Sequence, residues 1–507
     1  MVDRLINSPP PVTAFHFYYL LLMPISHLTD FSDRLSPMLV KELRQGMRAR
    51  SFTLLFLIFQ LLLAFIILTA GAAANSEYSG SIASGVIFTM FIIAVIFIQP
   101  MRGITALSSE ITGNTIEMMA LTRLSAFRIV LGKWIAIVSQ SALILITIIP
   151  YLILRYFYGG MILLGEMVFL TLIFLTSMAL TAVMVGLSGT STKLIRVIPI
   201  LGFVFMMQAI PALVFGHGGF NQFMSFCAMS DWESRSAIFA YLTFIAYFGW
   251  CALSYGTSAI APVAENHSTI RRLVSLVMIV FAVGVGLHPA VDARIMPFVF
   301  GIILAPAIIT ALTEPSILLP PICKPFLKRG LLGRLASLFL LPGWPAGVFY
   351  TTLITAISIT GVILAAKPLG SLAVDETIAI VALAFTGGIL LPALLSANFS
   401  KQENKRFTNF VIFMLASVIL TIIPAIFANM NHHEKYLWLF VWNPPVFLTI
   451  VEESGFNKSQ MLNVALIVDS IYLGLLLITA AIAFRDYGRI FKEARDEMPT
   501  RPSLPES

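Results

Sequence analysis

From residue 52 to residue 484 the chain alternates apolar blocks of about twenty residues with short polar stretches. Neither the strict alternation of a half-buried strand nor the 3.6-residue stripe of a soluble amphipathic helix dominates. A helix needs about 20 apolar residues to cross a bilayer. The blocks therefore predict twelve spans, at 52–74, 82–101, 129–154, 162–187, 196–215, 237–262, 270–287, 295–312, 345–366, 375–397, 408–428 and 461–484. The apolar stretch 436–450 is interrupted by Asn443-Pro444-Pro445 and carries Trp438 and Trp442, which predicts a re-entrant or interfacial helix with its tryptophans at headgroup level. Residues 1–33 hold Pro9-Pro10-Pro11 and a run from Phe15 to Met23 that is too short to cross, an interfacial or disordered segment.

Composition agrees with the pattern. Of 507 residues 58% are hydrophobic and 11% charged, and the mean hydropathy is +0.92. A soluble chain carries about 25% charged residues, so this one has too few to cover a water-facing surface. That argues against a nucleic-acid binder, a disordered scaffold, a coiled coil or a secreted disulfide domain. The expected fold class is an all-α polytopic membrane protein. The net charge of +7 reports topology: with both termini cytoplasmic, 26 of the 32 basic residues fall on inner segments. A multi-pass protein of the cell's inner (plasma) membrane is expected. Cys227, Cys251 and Cys323 lie far apart and suggest neither a zinc site nor a disulfide framework.

The halves show a faint repeat. Leu145-Ile146-Thr147-Ile148-Ile149-Pro150 resembles Ile419-Leu420-Thr421-Ile422-Ile423-Pro424, and Pro100 finds a counterpart in Pro392, but the second half is 18 residues shorter between these marks. The missing stretch is the most polar loop of the first half.

Two inner segments stand out. In Ser36 to Arg50, a helix would put Lys41, Arg44 and Arg48 on one face and Leu39, Leu43 and Met47 on the other, with Glu42 beside them. Such a helix lies in the headgroup plane with its bases toward anionic lipid; a mere positive flank to the first span would read the same way. In Ser108 to Lys133, Gly113-Asn114 breaks the chain and Thr115 can cap a short helix that presents Met118, Met119 and Leu121. Apolar side chains on a short cytosolic helix need a protein surface to cover them.

This second segment resembles the coupling-helix region of the ABC-2 family of ABC transporter permeases, which reads roughly E, a few residues, G-T-x-E-x-L-L-x-T-P-x-S, then I-V-L-G-K. Glu110, Gly113, Thr115, Glu117, Leu121, Thr122, Ser125, Ile129, Val130, Leu131, Gly132 and Lys133 match. One residue separates Gly113 from Thr115, Arg123 stands where the family has proline, and Ala120 replaces a leucine. Lys41-Glu42-Leu43-Arg44-Gln45-Gly46 is similar to the family's N-terminal interfacial helix, and Tyr151 to Gly160 to the stretch after its third span. The resemblance covers residues 36–262 and reaches the rest only through the repeat.

It implies an ABC-2 type fold of about twelve transmembrane helices with a degenerate second half. The chain then divides into an N-terminal segment 1–33, an interfacial helix 34–50 and a first six-helix half 51–262 with coupling loop 102–128. A hairpin and linker 263–334, a second half 335–484 and a basic tail 485–507 complete it. The function implied is that of a permease, an exporter by the family's usual direction, moved by a separate ATPase that binds ATP and magnesium and docks on 110–125. Glu110, Gly113, Thr115, Glu117, Met118, Leu121, Thr122 and Ser125 would carry that docking, and Lys41, Glu42, Arg44 and Arg48 the interfacial helix. No G-x-x-x-x-G-K-[ST] loop occurs, so no cofactor and no ATP hydrolysis by that route are expected on this chain. The chain either pairs with a second copy or contains both halves; nucleic acid is not among the expected partners.

Asp469 is the one carboxylate well inside an expected span, a candidate intramembrane polar site; Glu166 and Glu314 sit near span ends. Gln60, Gln140 and Gln208 suit interhelical hydrogen bonds. Two other classes compete: an ion-coupled secondary transporter of twelve-helix architecture, and a lipid-active enzyme, for which only Glu452, Glu453, His432 and His433 cluster.

Overall fold

A computed structural model of the chain describes residues 37–72, 79–113, 125–157, 162–190, 219–262, 264–287, 296–366, 376–400, 402–431, 434–452 and 457–497. Within them the chain is helical with no strand. The protein is an all-α, multi-pass membrane protein: among the described residues nine helices are long and apolar enough to cross a bilayer, and a bent pair supplies a tenth crossing if counted as one. Of the expected spans, 196–215 lies outside the described residues, and 295–312 is found as a shorter apolar helix.

The first half begins with α1 (Pro37–Arg48) and α2 (Arg50–Ala72). Next come α3 (Ser79–Ile92), which continues irregularly to Thr112, then α4 (Ala126–Tyr156) and α5 (Leu163–Ser188). The irregularity in α3 has a local cause. Residues Ile93–Ile98 form a π turn in which the Gln99 amide bonds Ala94, so the next carbonyl, Val95, faces the nitrogen of Pro100, which has no hydrogen to give. Ser177 on α5 donates to that carbonyl at 2.6 Å, and the kink is thereby tied to its neighbour.

A short α6 (Gly219–Cys227) and the long α7 (Trp232–Ile260) come next. Helix α7 lies against α5 so closely that a Cβ on Gly186 would strike the Ala252 carbonyl and one on Gly256 would come within 2.8 Å of the Gly186 Cα. Small residues let backbones approach in this way where the bilayer offers no hydrophobic drive between helices. The remaining helices are α8 (Ser268–Gly286), α9 (Met296–Thr313), α10 (Pro320–Lys328), α11 (Gly330–Leu340) and α12 (Trp344–Ala366). They end with α13 (Glu376–Phe399), α14 (Arg406–Asn431), α15 (Val446–Glu452) and α16 (Lys458–Asp496).

Two of the buried clusters are the largest and form the main cores. Leu63, Phe88, Phe91, Ile144 and Ile148 pack α2 to α5 together, while Ile279, Ile303, Ile308, Tyr350, Phe410 and Leu476 centre the second on α8, α9, α12, α14 and α16. Tyr247 and Cys251 place α7 in this second core, while its Leu253 packs with Leu107 and Val185 of the first half. Outward faces are apolar, as in a body solvated by lipid: Leu57, Leu61 and Leu68 on α2 and Ile467, Ile478 and Ile482 on α16 are each more than half exposed.

One order of elements recurs. A short helix precedes a span at α1–α2 and again at α11–α12, where the two axes meet at 94°. Pro150 and Pro424 each fall inside the third span of their half, and Pro392 lies inside α13 as Pro100 lies in the kink of α3. The stretch expected to re-enter forms a short 3-10 segment (Glu434–Phe440) and α15, separated by a non-helical break at 441–445.

Candidate functional site

The two segments singled out in the sequence meet in space. Lys133, at the end of the second turn of α4, is 5% exposed. A buried ammonium is tolerable only when paired, and this one has two partners: its Nζ donates to Glu110 Oε1 at 2.9 Å and to Glu42 Oε1 at 3.1 Å. Glu110 lies near the end of the α3 run and Glu42 sits on α1, so one lysine joins α1 to both spans that flank residues 113–125. Arg102 adds a second tie. It donates to the Gln140 side chain and to the Gly46 carbonyl at 3.5 Å, and its guanidinium stands 5.5 Å from the centre of the Phe52 ring.

The expected docking residues divide accordingly. Glu110 lies in the tie; Gly113 caps the short helix Ser108–Thr112 and is exposed. Ser125 is exposed and extended (φ −68°, ψ 146°), with its carbonyl accepting from Arg128 and Ile129 as α4 begins. Thr115, Glu117, Met118, Leu121 and Thr122 lie outside the described residues. On α1, Lys41, Arg44 and Arg48 are exposed while Leu43 is buried and Glu42 turns toward Lys133. Of the three glutamines, Gln60 bonds Thr147 at 2.7 Å across α2 and α4, Gln140 takes Arg102, and Gln208 is outside the described residues.

Three further polar clusters lie elsewhere in the bundle. Arg155 and Glu166, 0% and 1% exposed in their side chains, pair at 3.5 Å where α4 and α5 approach, with Ser84 on the same carboxylate at 3.4 Å. Glu314 takes Arg271 and Arg272, each at 2.8 Å, where α8 begins and α9 has just ended. Asp469 is buried on α16 beside Thr386 of α13, whose hydroxyl donates to Oδ2 at 2.9 Å. In sequence the arginines of the first two clusters read as loop charges at span ends. A charged residue one turn inside an apolar block, with an opposite charge at the facing end of the next block, is the signal that would have paired them.

Nothing in the described residues groups three metal-ligating side chains. The three cysteines are buried singly, and burial pushes the Cys227 and Cys323 thiols up to about 11, so neither is a thiolate at neutral pH. His432, His433 and Glu453 lie outside the described residues. No family model matches the chain, and neither does any curated protein or solved structure.

Proposed function

We propose that this chain is the transmembrane permease subunit of an ABC transporter of the ABC-2 type, exporting its substrate from the cell. A separate ATPase subunit would bind ATP and magnesium and dock on the 110–125 segment. The observation that supports the reading most is the Lys133 tie. A loop between two spans transmits force only if its base is stiff, and here Glu110, Lys133 and Glu42 join α1, α3 and α4 at that base. A push on the loop then moves both spans as one body, the rigid-body motion by which an inward opening becomes an outward one. The second half differs at its corresponding connection, which is 18 residues shorter in sequence between the matching prolines: there Glu403 accepts from the Ser316 amide at 3.0 Å and from the Ser316 hydroxyl, in the stretch that follows α9. The assembly would then have one strong docking point and one degenerate one.

In this reading the membrane is the plasma membrane, both termini are cytoplasmic, and this chain itself carries no catalysis. Expression of the full chain with an ATPase encoded beside its gene should give a complex that purifies through either subunit. The double change Glu117→Lys and Leu121→Asp should reduce recovery of the ATPase at least tenfold while the permease still inserts. Unchanged recovery removes the docking assignment.

A second reading, ion-coupled secondary transport, is favoured by the buried carboxyl of Asp469. Uptake or efflux that survives ATP depletion and collapses with a protonophore would decide for it.

A further inference from the structure

Asp469 lies 11 residues into α16 from Lys458, about 16 Å along the axis, well inside the apolar layer. Its residue is 7% exposed and Oδ1 has no hydrogen-bond partner. Oδ1 is pressed into a crevice: a Cβ added to Gly387 would strike Oδ1 and would come within 2.6 Å of the Pro444 ring. Pro444 belongs to the 441–445 break. The same break is pinned on its other side by Asn443, fully buried, whose amide donates to the Ser417 carbonyl at 2.8 Å and to Thr421 at 3.0 Å. Its Trp442 carbonyl accepts from the Tyr472 hydroxyl. The break is thus clamped over the carboxyl by α13, α14 and α16.

The charged and titratable groups on the surrounding elements are few. From α13 only Thr386 reaches the carboxyl, and Glu376 begins that helix 10 residues earlier. Helix α12 carries no charged residue, the break supplies no charge, and on α16 itself Tyr472 is the near titratable group while Lys458 bonds Thr377 at 2.8 Å. No cation pairs with Asp469 among the described residues. An ionised carboxylate there would be desolvated and unpaired, which proteins avoid by neutralising the group. A metal cation needs several oxygens around it, and here the crevice walls at Oδ1 are a glycine and a proline ring.

We propose that Asp469 is a proton-binding site, carrying its proton on Oδ1 while the 441–445 break is closed over it and releasing that proton to water when the break lifts. Oδ2 is then the carbonyl oxygen that accepts from Thr386, in keeping with the hydrogen bond observed. Gly387 is what permits closure. The site stands independently of any ATPase partner.

Infrared spectra of the full chain in lipid nanodiscs test this. At neutral pH the wild type should show the carbonyl stretch of a protonated carboxyl that Asp469→Asn removes. Thr386→Val should keep the band and move it to higher frequency, since one donor to the carbonyl is lost. Gly387→Ala, which props the crevice open to water, should shrink the band at least severalfold. If the wild type shows no Asp469-dependent band at neutral pH, or if sodium in place of choline abolishes it, the proton assignment fails, the latter result in favour of a metal cation. Should Asp469→Asn not fold, a band unmoved by Thr386→Val overturns the proposal equally well.

Discussion

Replacing Glu314 with alanine will destabilise the protein by about 3–5 kcal/mol, the cost of removing one partner from a buried ion pair and leaving the other charge behind. Here two charges are left. Arg271 and Arg272 donate to opposite oxygens of the Glu314 carboxylate at 2.8 Å, and Gly343 donates its amide to Oε2 at 3.0 Å; the Ser268 hydroxyl is a fourth donor. All are shielded, with side-chain exposures of 4%, 3% and 9% for the two arginines and the glutamate. The arginines would not suffer equally. Arg272 keeps the carbonyls of Phe339 at 3.0 Å and Gly343 at 2.9 Å and the Tyr350 ring at 5.7 Å, whereas Nη1 of Arg271 has no hydrogen-bond partner even in the wild type. Arg271 therefore depends more on Glu314, and Arg271→Met in the Glu314→Ala background should recover part of the loss. Unfolding of the purified full chain in mixed micelles measures both. A single Glu314→Ala variant within about 1 kcal/mol of wild type would mean that water already satisfies these arginines.

The location makes this more than a stability matter. Glu314 directly follows α9, the arginines lie in the first turns of α8, and Gly343 is the turn of the 94° elbow between α11 and α12. One carboxylate thus fixes the entry angle of the second half's first span. In the first half Lys133 fixes α1 with the signs reversed, one cation holding two carboxylates. Spans and ties differ in how far they can be read from the sequence. Apolar runs long enough to cross a bilayer announce α2, α4, α5, α7, α8, α13, α14 and α16 because lipid solvation demands length and uniformity together, and neither needs a tertiary partner to be seen. Polar ties are different. Glu110, Lys133 and Glu42 each appear in a recognisable segment, yet that they share one ammonium depends on how α1 lies across α4, which no spacing encodes. Arg155 looks like a loop charge and Glu166 like a charge near a span end, with ten residues between them; only the packing of α4 on α5 buries both. The end of the segment 263–334 reads as a linker, but its leucines and prolines fold as α10 and, running on to Leu340, α11, with Ile322, Cys323 and Phe326 packed on Tyr487 and Ala494 of the terminal helix.

The elbow also supplies the second large effect. Gly343-Trp344-Pro345-Ala346-Gly347 has the spacing of a small-residue packing motif, while its proline argues against a helix interior. The structure reconciles the two, because α12 starts at Trp344 and Pro345 occupies the first turn, where its missing N–H is no loss. Gly347 then faces α9, and a Cβ there would strike the Ala311 carbonyl oxygen and come within 2.6 Å of its carbon. Those are backbone atoms of a neighbouring helix and cannot swing aside as a side-chain tip could. Gly347→Val should accordingly exceed the usual 1–3 kcal/mol of overpacking and cost about 3 kcal/mol or more, because α12 must leave α9 and with it the core around Val348, Ile303 and Ile308. Gly343 is restricted for another reason, a φ of +103° and the Tyr487 hydroxyl in the place of a Cβ. Gly474 of α16 is the control: nothing lies within 4 Å of its added Cβ, and alanine there should be neutral or stabilise by about 0.4–1 kcal/mol. If Gly347→Val unfolds at the same denaturant concentration as Gly474→Ala, the contact between α9 and α12 is not the tight one on which the second core rests.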